Sequence, residues 1–208
     1  IANPDNPSGT YLSASEVRRL HKALPENVLL LIDAAYEEFA LVDDYASGTQ
    51  LVHEFENVVV TRTFSKVYGM AGLRLGWCYG PAWVADLLTK IGPSFPVNVA
   101  AQAAGVAAIE DDAHMQEVLR HNKNWVEKFS TALRKMGLKV YPSQTNFVLV
   151  SFPVSCGRTA EETNAFLNEN GIIPRQFAVT GFEDKLRFTI GQNWEMEKTV
   201  QILANYLP

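Results

Sequence analysis

Two runs of the chain, "VLLLID" (Val28–Asp33) and "NVVVTRT" (Asn57–Thr63), are almost unbroken apolar stretches too short to be helices. A helix with one buried face shows an apolar residue every three or four positions, and a strand with one wet face alternates. Short continuous runs suit strands covered on both faces, as in a parallel sheet sandwiched by helices. "LRLGWCYG" (Leu73–Gly80) reads as a third such strand. Between them lie helical patterns. "SASEVRRLHKAL" carries Ser13 as N-cap, Glu16 three residues on, and Val17, Leu20 and Leu24 at helical spacing, and "PAWVADLLTKIG" follows the third run. Strands alternating with short helices make an α/β layer.

The character changes after Val97. Two long helical patterns, "NVAAQAAGVAAIED" and "HMQEVLRHNKNWVEKFSTALRKMG", lead to Gly137 as a C-terminal stop. Then "LKVYPSQTNFVLVSF" predicts strand, turn and strand, "TAEETNAFLNENG" a capped helix, "KLRFTIG" a strand and "NWEMEKTVQILANYL" a last amphipathic helix. We expect a mainly parallel α/β region over residues 1–115 and a smaller α+β domain over 116–208.

Composition narrows the partners. The chain is 47% hydrophobic and 20% charged with a formal net charge of -5, and its Lys and Arg are spread rather than clustered. That gives no electrostatic footprint for nucleic acid or an anionic membrane surface, so a small-molecule partner is expected. No apolar run approaches the ~20 residues that span a bilayer. Cys78 and Cys156 match no metal or redox spacing and are expected as small buried residues in a reducing cytoplasm. His21, His53, His114 and His121 show no ligand spacing; solvated positions and no metal are expected. The opening "IANPDNPSGT" has no methionine and is already loop chemistry, which reads as a piece of a longer chain.

Ligands of open parallel sheets sit beyond the carboxyl ends of the strands. Asp33 closes "VLLLID", and "TRTFSK" leads off the next run to Lys66, so the two can share one crevice. A lysine amine can condense with an aldehyde, and a carboxylate can hold a pyridine nitrogen protonated; together they are what pyridoxal phosphate requires. Singly, each residue has a plainer reading: Lys66 as a solvated lysine, Asp33 as a turn or cap, "NPDNPSG" as tight turns, Arg74 as a surface ion pair.

Their joint occurrence outweighs those readings. "NPDNPSG", "DAAYEEF", "SKVYGMAGLRLGW" and "RFTIG", in that order from Asn3 to Gly191, resemble the successive signatures of the fold-type-I, aspartate-aminotransferase-like family of pyridoxal phosphate enzymes. The resemblance implies that Lys66 holds the cofactor aldehyde and later moves a proton, and that Asp33 pairs with the ring nitrogen. Asn6 and Tyr36 would bond the ring O3', Thr63, Ser65 and Arg74 the phosphate, and Arg187 the substrate α-carboxylate. It also implies a homodimer whose subunits share each site.

"DAAYEEF", "FSKVYGMAGLRLGW", "SQTNFVLV" and "GIIPR" are most similar to a branch whose amino substrate carries a phosphate ester. There Arg175 would face that phosphate or, equally, stand on the surface after a helix; Asn146 would orient groups near the carboxylate or stabilise a turn. Ser8 and Pro174 depart from that branch's commoner threonine and valine. Aromatic aminotransferases and a phosphothreonine decarboxylase share the same cofactor residues. A sensor domain or a non-catalytic remnant is the reading from another class, and the presence of Lys66 speaks against the remnant. The family also builds its site from an N-terminal portion supplying a ring-stacking aromatic residue, a glycine-rich turn and a closing arm. This stretch alone is therefore expected to have low activity and a partly open, association-prone sheet edge.

Overall fold

The computed structural model describes residues 1–208, the side chain of Val154 excepted. The chain packs as two compact units, Ile1–Asp5 with Tyr11–Leu119 and Asn6–Thr10 with Arg120–Pro208.

In the first unit the elements are α1 (Ala14–Ala23), β1 (Leu30–Asp33), α2 (Thr49–Glu54), β2 (Val58–Thr63), β3 (Gly76–Tyr79), α3 (Ala82–Ile91) and α4 (Val99–Glu110). α1 begins as its capping box requires: the Ser13 hydroxyl accepts from the Glu16 N–H, and the Glu16 carboxylate accepts from the Ser13 N–H. β1 and β2 run parallel, Leu30 beside Val58 through Asp33 beside Thr61. The segment Ile1–Asn3 lies alongside β1, with the Asn3 N–H on the Asp33 carbonyl at 2.9 Å. Leu30, Ile32, Val58 and Val60 form the core with Val17 of α1 and Leu51 of α2.

Two sequence expectations need correction here. Burial of β1 is one-sided, because α1 and α2 cover Leu30 and Ile32 while Leu31 on the opposite face is 44% exposed. β3 is shorter than "LRLGWCYG", pairs antiparallel with β2, and is exposed at all four residues. Within this stretch it pairs with β2 alone, and its side chains meet polar neighbours: Trp77 lies over Arg62, and Tyr79 packs edge-on to His53. The first sheet is therefore mixed, with β3 antiparallel to a parallel β1–β2 pair. α2 had no recognised signal, being six residues long and started by Gly48 at φ 90°.

α5 (Asp112–Lys135) is 24 residues long, and from Arg120 onward it belongs to the second unit. With it pack β4 (Lys139–Val140), β5 (Phe147–Ser151), α6 (Ala160–Glu169), β6 (Arg175–Gln176), β7 (Lys185–Thr189) and α7 (Asn193–Tyr206). The sheet order is β4-β5-β7-β6, antiparallel throughout. Trp125, Phe129 and Leu133, four residues apart on one stripe of α5, bury against Val148 and Val150 of β5, Leu186 and Phe188 of β7, and Leu167 and Leu203 of α6 and α7. Gly137 ends α5 in the left-handed region at φ 80°. The two-residue strand β6 is too short to leave a periodic signature.

His21 is buried, against the expectation of a solvated position: its ring stacks on Phe55, and its Nε2 lies 2.8 Å from Asn57 Oδ1. Cys156 is buried as expected, whereas Cys78, on β3, is exposed. Among the described residues no helix is long and apolar enough to cross a membrane, and no group of three or more His, Cys, Asp or Glu could hold a metal ion.

Leu133 is fully buried, so Leu133→Ala should lower unfolding free energy by about 2–5 kcal/mol, measured by urea titration. Glu16 and Glu162 are held below the usual carboxylate range, first by the backbone N–H of their cap residues and then by the Ser13 and Thr159 hydroxyls. A depressed folded-state pKa contributes stability above the unfolded value and loses it as pH falls through the folded one. The double variant Glu16→Gln/Glu162→Gln should therefore melt below the wild type at neutral pH, and the gap should close below about pH 4.

Candidate active site

Register decides where the polar groups of the first unit gather. Because β1 and β2 are parallel with Asp33 beside Thr61, both strands release their chains at the same sheet edge. Past β1, the Asp33 carboxylate accepts from the Ala35 N–H at 3.1 Å, and the chain turns through Tyr36 into a 3-10 turn, Glu37–Phe39. Tyr36 is buried. Past β2, Thr63 Oγ1 accepts from the Ser65 N–H at 3.1 Å, and the loop folds back with the Met70 N–H on the Phe64 carbonyl. Half-buried Lys66 places Nζ 5.2 Å from the centre of the Tyr36 ring.

Arg74 is the one described non-glycine residue in the left-handed region, at φ 54°. That conformation is uncommon for a residue with a long side chain. It turns the guanidinium back over its own loop, where Nη1 donates to the Ala71 carbonyl at 2.8 Å and approaches Ser65 Oγ at 3.4 Å. The α4 N-cap supports the same loop: Asn98 donates to the Leu73 carbonyl while capping the Ala101 N–H. Gly105 of α4 sits where a Cβ would strike Leu75. Asp33, Tyr36, Thr63, Ser65, Lys66 and Arg74 are thus gathered at one end of one sheet.

Asn6, Asn146, Arg175 and Arg187 belong to the second unit. Arg187 on β7 lies beside Arg175 on β6 in the strand register. Its Nη1 donates to Asn6 Oδ1 at 2.5 Å, and its guanidinium lies 4.8 Å from the Phe147 ring centre. Both arginines, with Ile173, Thr189 and Trp194, line a cleft of about 590 Å³, within the range of small-molecule sites. Asn146 is half-buried at the foot of β5, and its carbonyl accepts from the Ile190 N–H. The "NPDNPSG" loop divides its work: Asn3, fully buried, exchanges two hydrogen bonds with the Leu12 backbone in the first unit, while exposed Asn6 reaches Arg187 in the second.

A lysine, a carboxylate, a phenol and a hydroxyl-guanidinium pair at the carboxyl edge of a sheet coincide with what whole-chain comparison finds. The sequence profile described as aminotransferase class I and II matches residues 1–203. The chain belongs to the aminotransferase class I and II family. Within it, the chain is 49% identical to the histidinol-phosphate aminotransferase of Rhodospirillum centenum and 44% identical to that of Maricaulis maris, each match covering 100% of this chain and 57% of the relative. The crystal structure of histidinol-phosphate aminotransferase from Sinorhizobium meliloti in complex with pyridoxal-5'-phosphate shares 31% identity with a TM-score of 0.88, over 99% of this chain and 57% of that one. The chain spans a little over half the length of these relatives. Its α/β fold is theirs.

Sequence reasoning passed over Arg62 and Asn98. Arg62 carried a signal, a charge inside an otherwise apolar strand beside Thr63; Asn98 resembled any helix cap. Gly76 is the tight point of the arrangement, since a Cβ there would lie 2.8 Å from the Arg62 carbonyl oxygen. Gly76→Ala should push β3 away from β2 and cost about 1–3 kcal/mol, read from chemical denaturation.

Proposed function

We propose that this chain is the larger part of a pyridoxal-phosphate-dependent aminotransferase that converts histidinol phosphate and 2-oxoglutarate to imidazole acetol phosphate and glutamate, reversibly, as a cytoplasmic homodimer in histidine biosynthesis. The observation that carries the reading is the gathering of Asp33, Tyr36, Ser65, Lys66 and Arg74 at the carboxyl edge of β1 and β2. The donor set fits the cofactor group by group: an amine for its aldehyde, a carboxylate for its ring nitrogen, a phenol for its ring oxygen, hydroxyls and a planar guanidinium for its phosphate. Names of the relatives at 49% and 44% identity support the substrate.

When bound, the cofactor supplies an electron sink for the carbanion formed at the substrate α-carbon. The chain's own residues do the rest. Asp33 would pair with the ring nitrogen. Lys66 would hold the cofactor aldehyde and would carry the proton taken from the substrate α-carbon; a half-buried amine with one aromatic face beside it is suited to that work. Thr63, Ser65 and Arg74 would hold the phosphate and Tyr36 the ring oxygen, to which the family resemblance also assigns Asn6. Arg187 takes the α-carboxylate of the amino acid substrate, Arg175 the phosphate ester, and Asn146 orients groups nearby. Two adjacent cationic forks let one cleft receive two differently charged substrates in turn.

The chain, mixed with pyridoxal phosphate, reduced with borohydride and digested, should carry the pyridoxyl mass on the peptide containing Lys66. Lys66→Ala should abolish that adduct without lowering the melting temperature. In the complete polypeptide, an adduct scattered over surface lysines, or none, would overturn the cofactor assignment; no adduct on this stretch alone would mean that the N-terminal portion is needed for cofactor capture. In the complete polypeptide, turnover of histidinol phosphate with 2-oxoglutarate tests the substrate; selective consumption of an aromatic amino acid or of phosphothreonine would replace it.

A further inference from the structure

Arg62 sits on β2, four residues before Lys66, and its guanidinium is the centre of a buried ionic cluster. Nη1 pairs with the Glu37 carboxylate, and Nη2 donates to Glu38 Oε1 at 2.7 Å. The three side chains are only 14%, 27% and 11% exposed. Trp77, across the sheet on β3, covers the guanidinium at 5.3 Å. Around it stand Ser47, whose hydroxyl bonds Glu37, and the phenols of Tyr45 and Tyr68. Burial pushes the Glu37 carboxyl above its usual range, with Arg62 opposing, and pushes the Tyr45 phenol well above its own.

Two adjacent residues of a helical turn point in different directions. Both reach Arg62 only because a guanidinium offers separate nitrogens on a rigid plane; a lysine ammonium is a single point. The turn they belong to starts at Tyr36, the residue whose ring faces Lys66. Desolvating two carboxylates side by side is costly, and an apolar cluster of the same volume generally holds a fold at least as well. What the ionic arrangement adds is direction: it fixes the Tyr36 turn to the strand that delivers Lys66.

We propose that Arg62 is a positioning residue, which through Glu37 and Glu38 sets the placement of Tyr36 against Lys66 and so tunes the acidity of the Lys66–cofactor linkage. This rests on the cofactor reading above. The Tyr36 phenol, bonded to the ring oxygen, favours the deprotonated linkage, so disturbing it raises the pH at which the visible band of the bound cofactor interconverts.

The test is a spectrophotometric pH titration of the complete polypeptide loaded with pyridoxal phosphate, with a melting curve for each variant. Tyr36→Phe should move the midpoint upward. Arg62→Lys should move it the same way by about half a pH unit or more, roughly a threefold change in the proton dissociation constant, and should add nothing in the Tyr36→Phe background. Glu38→Gln, nearly isosteric, should shift it likewise and carries the test should Arg62→Lys fail to fold. A lowered melting temperature with an unmoved midpoint, or equal shifts with and without Tyr36, would reduce Arg62 to a structural staple and overturn the proposal. A wild type that forms no Lys66 adduct would overturn the cofactor reading and the proposal with it, a result distinguishable from the first.

Discussion

Parallel pairing of β1 with β2 is the constraint on which the first unit depends. An antiparallel pair would release the two chains at opposite ends of the sheet; a parallel pair releases Asp33 and Thr63 at the same end. Register then does what composition cannot, since one residue of slip would turn Asp33 from one face of the sheet to the other. The core that fixes register is small: Leu30 and Ile32 against Val58 and Val60, closed by Val17 and Leu51. Apolar packing of modest size thus determines where an amine and a carboxylate stand.

The second unit achieves order by other means. Its sheet is antiparallel and its core larger, and α5 contributes three large side chains along one stripe. At the end of that sheet, Ser151 donates to the Asp184 carboxylate, which also pairs with Lys185 at 2.5 Å. Burial of Asp184 opposes its ionisation, yet the hydrogen bonds from Lys185 and Ser151 outweigh it and hold the carboxyl below its usual range. Arg187 projects from the opposite side of the strand to Leu186 and Phe188, so the residues that build the core also aim the arginine.

Much of this was legible in the chain. The α1 capping box, the Gly137 stop and the α7 helix follow from local chemistry, and the structure places them as read. Lys66 and Arg74 stand out in the chain because four separated motifs occur in a fixed order, and the structure brings both to the loop that follows β2. What escaped had a common cause: partners distant in sequence. β3 looks like a buried strand because Trp77, Cys78 and Tyr79 are apolar, but nothing local reveals that within this stretch it is exposed and pairs with β2 alone. Arg62 has its meaning only once Glu37 and Glu38, more than twenty residues earlier, fold against it. His21 reads as one more polar helix residue until Phe55 and Asn57 close over it.

The placement of the two cysteines gives the molecule a built-in pair of clocks. In this stretch Cys78 lies exposed on β3, so here its thiol meets a reagent without any opening of the fold. Cys156 is packed beneath the core of the second unit, its Sγ 3.0 Å from the Arg158 carbonyl, so it reacts only when that part of the fold opens. One thiol records the passage of time, and the other counts the openings of the small domain.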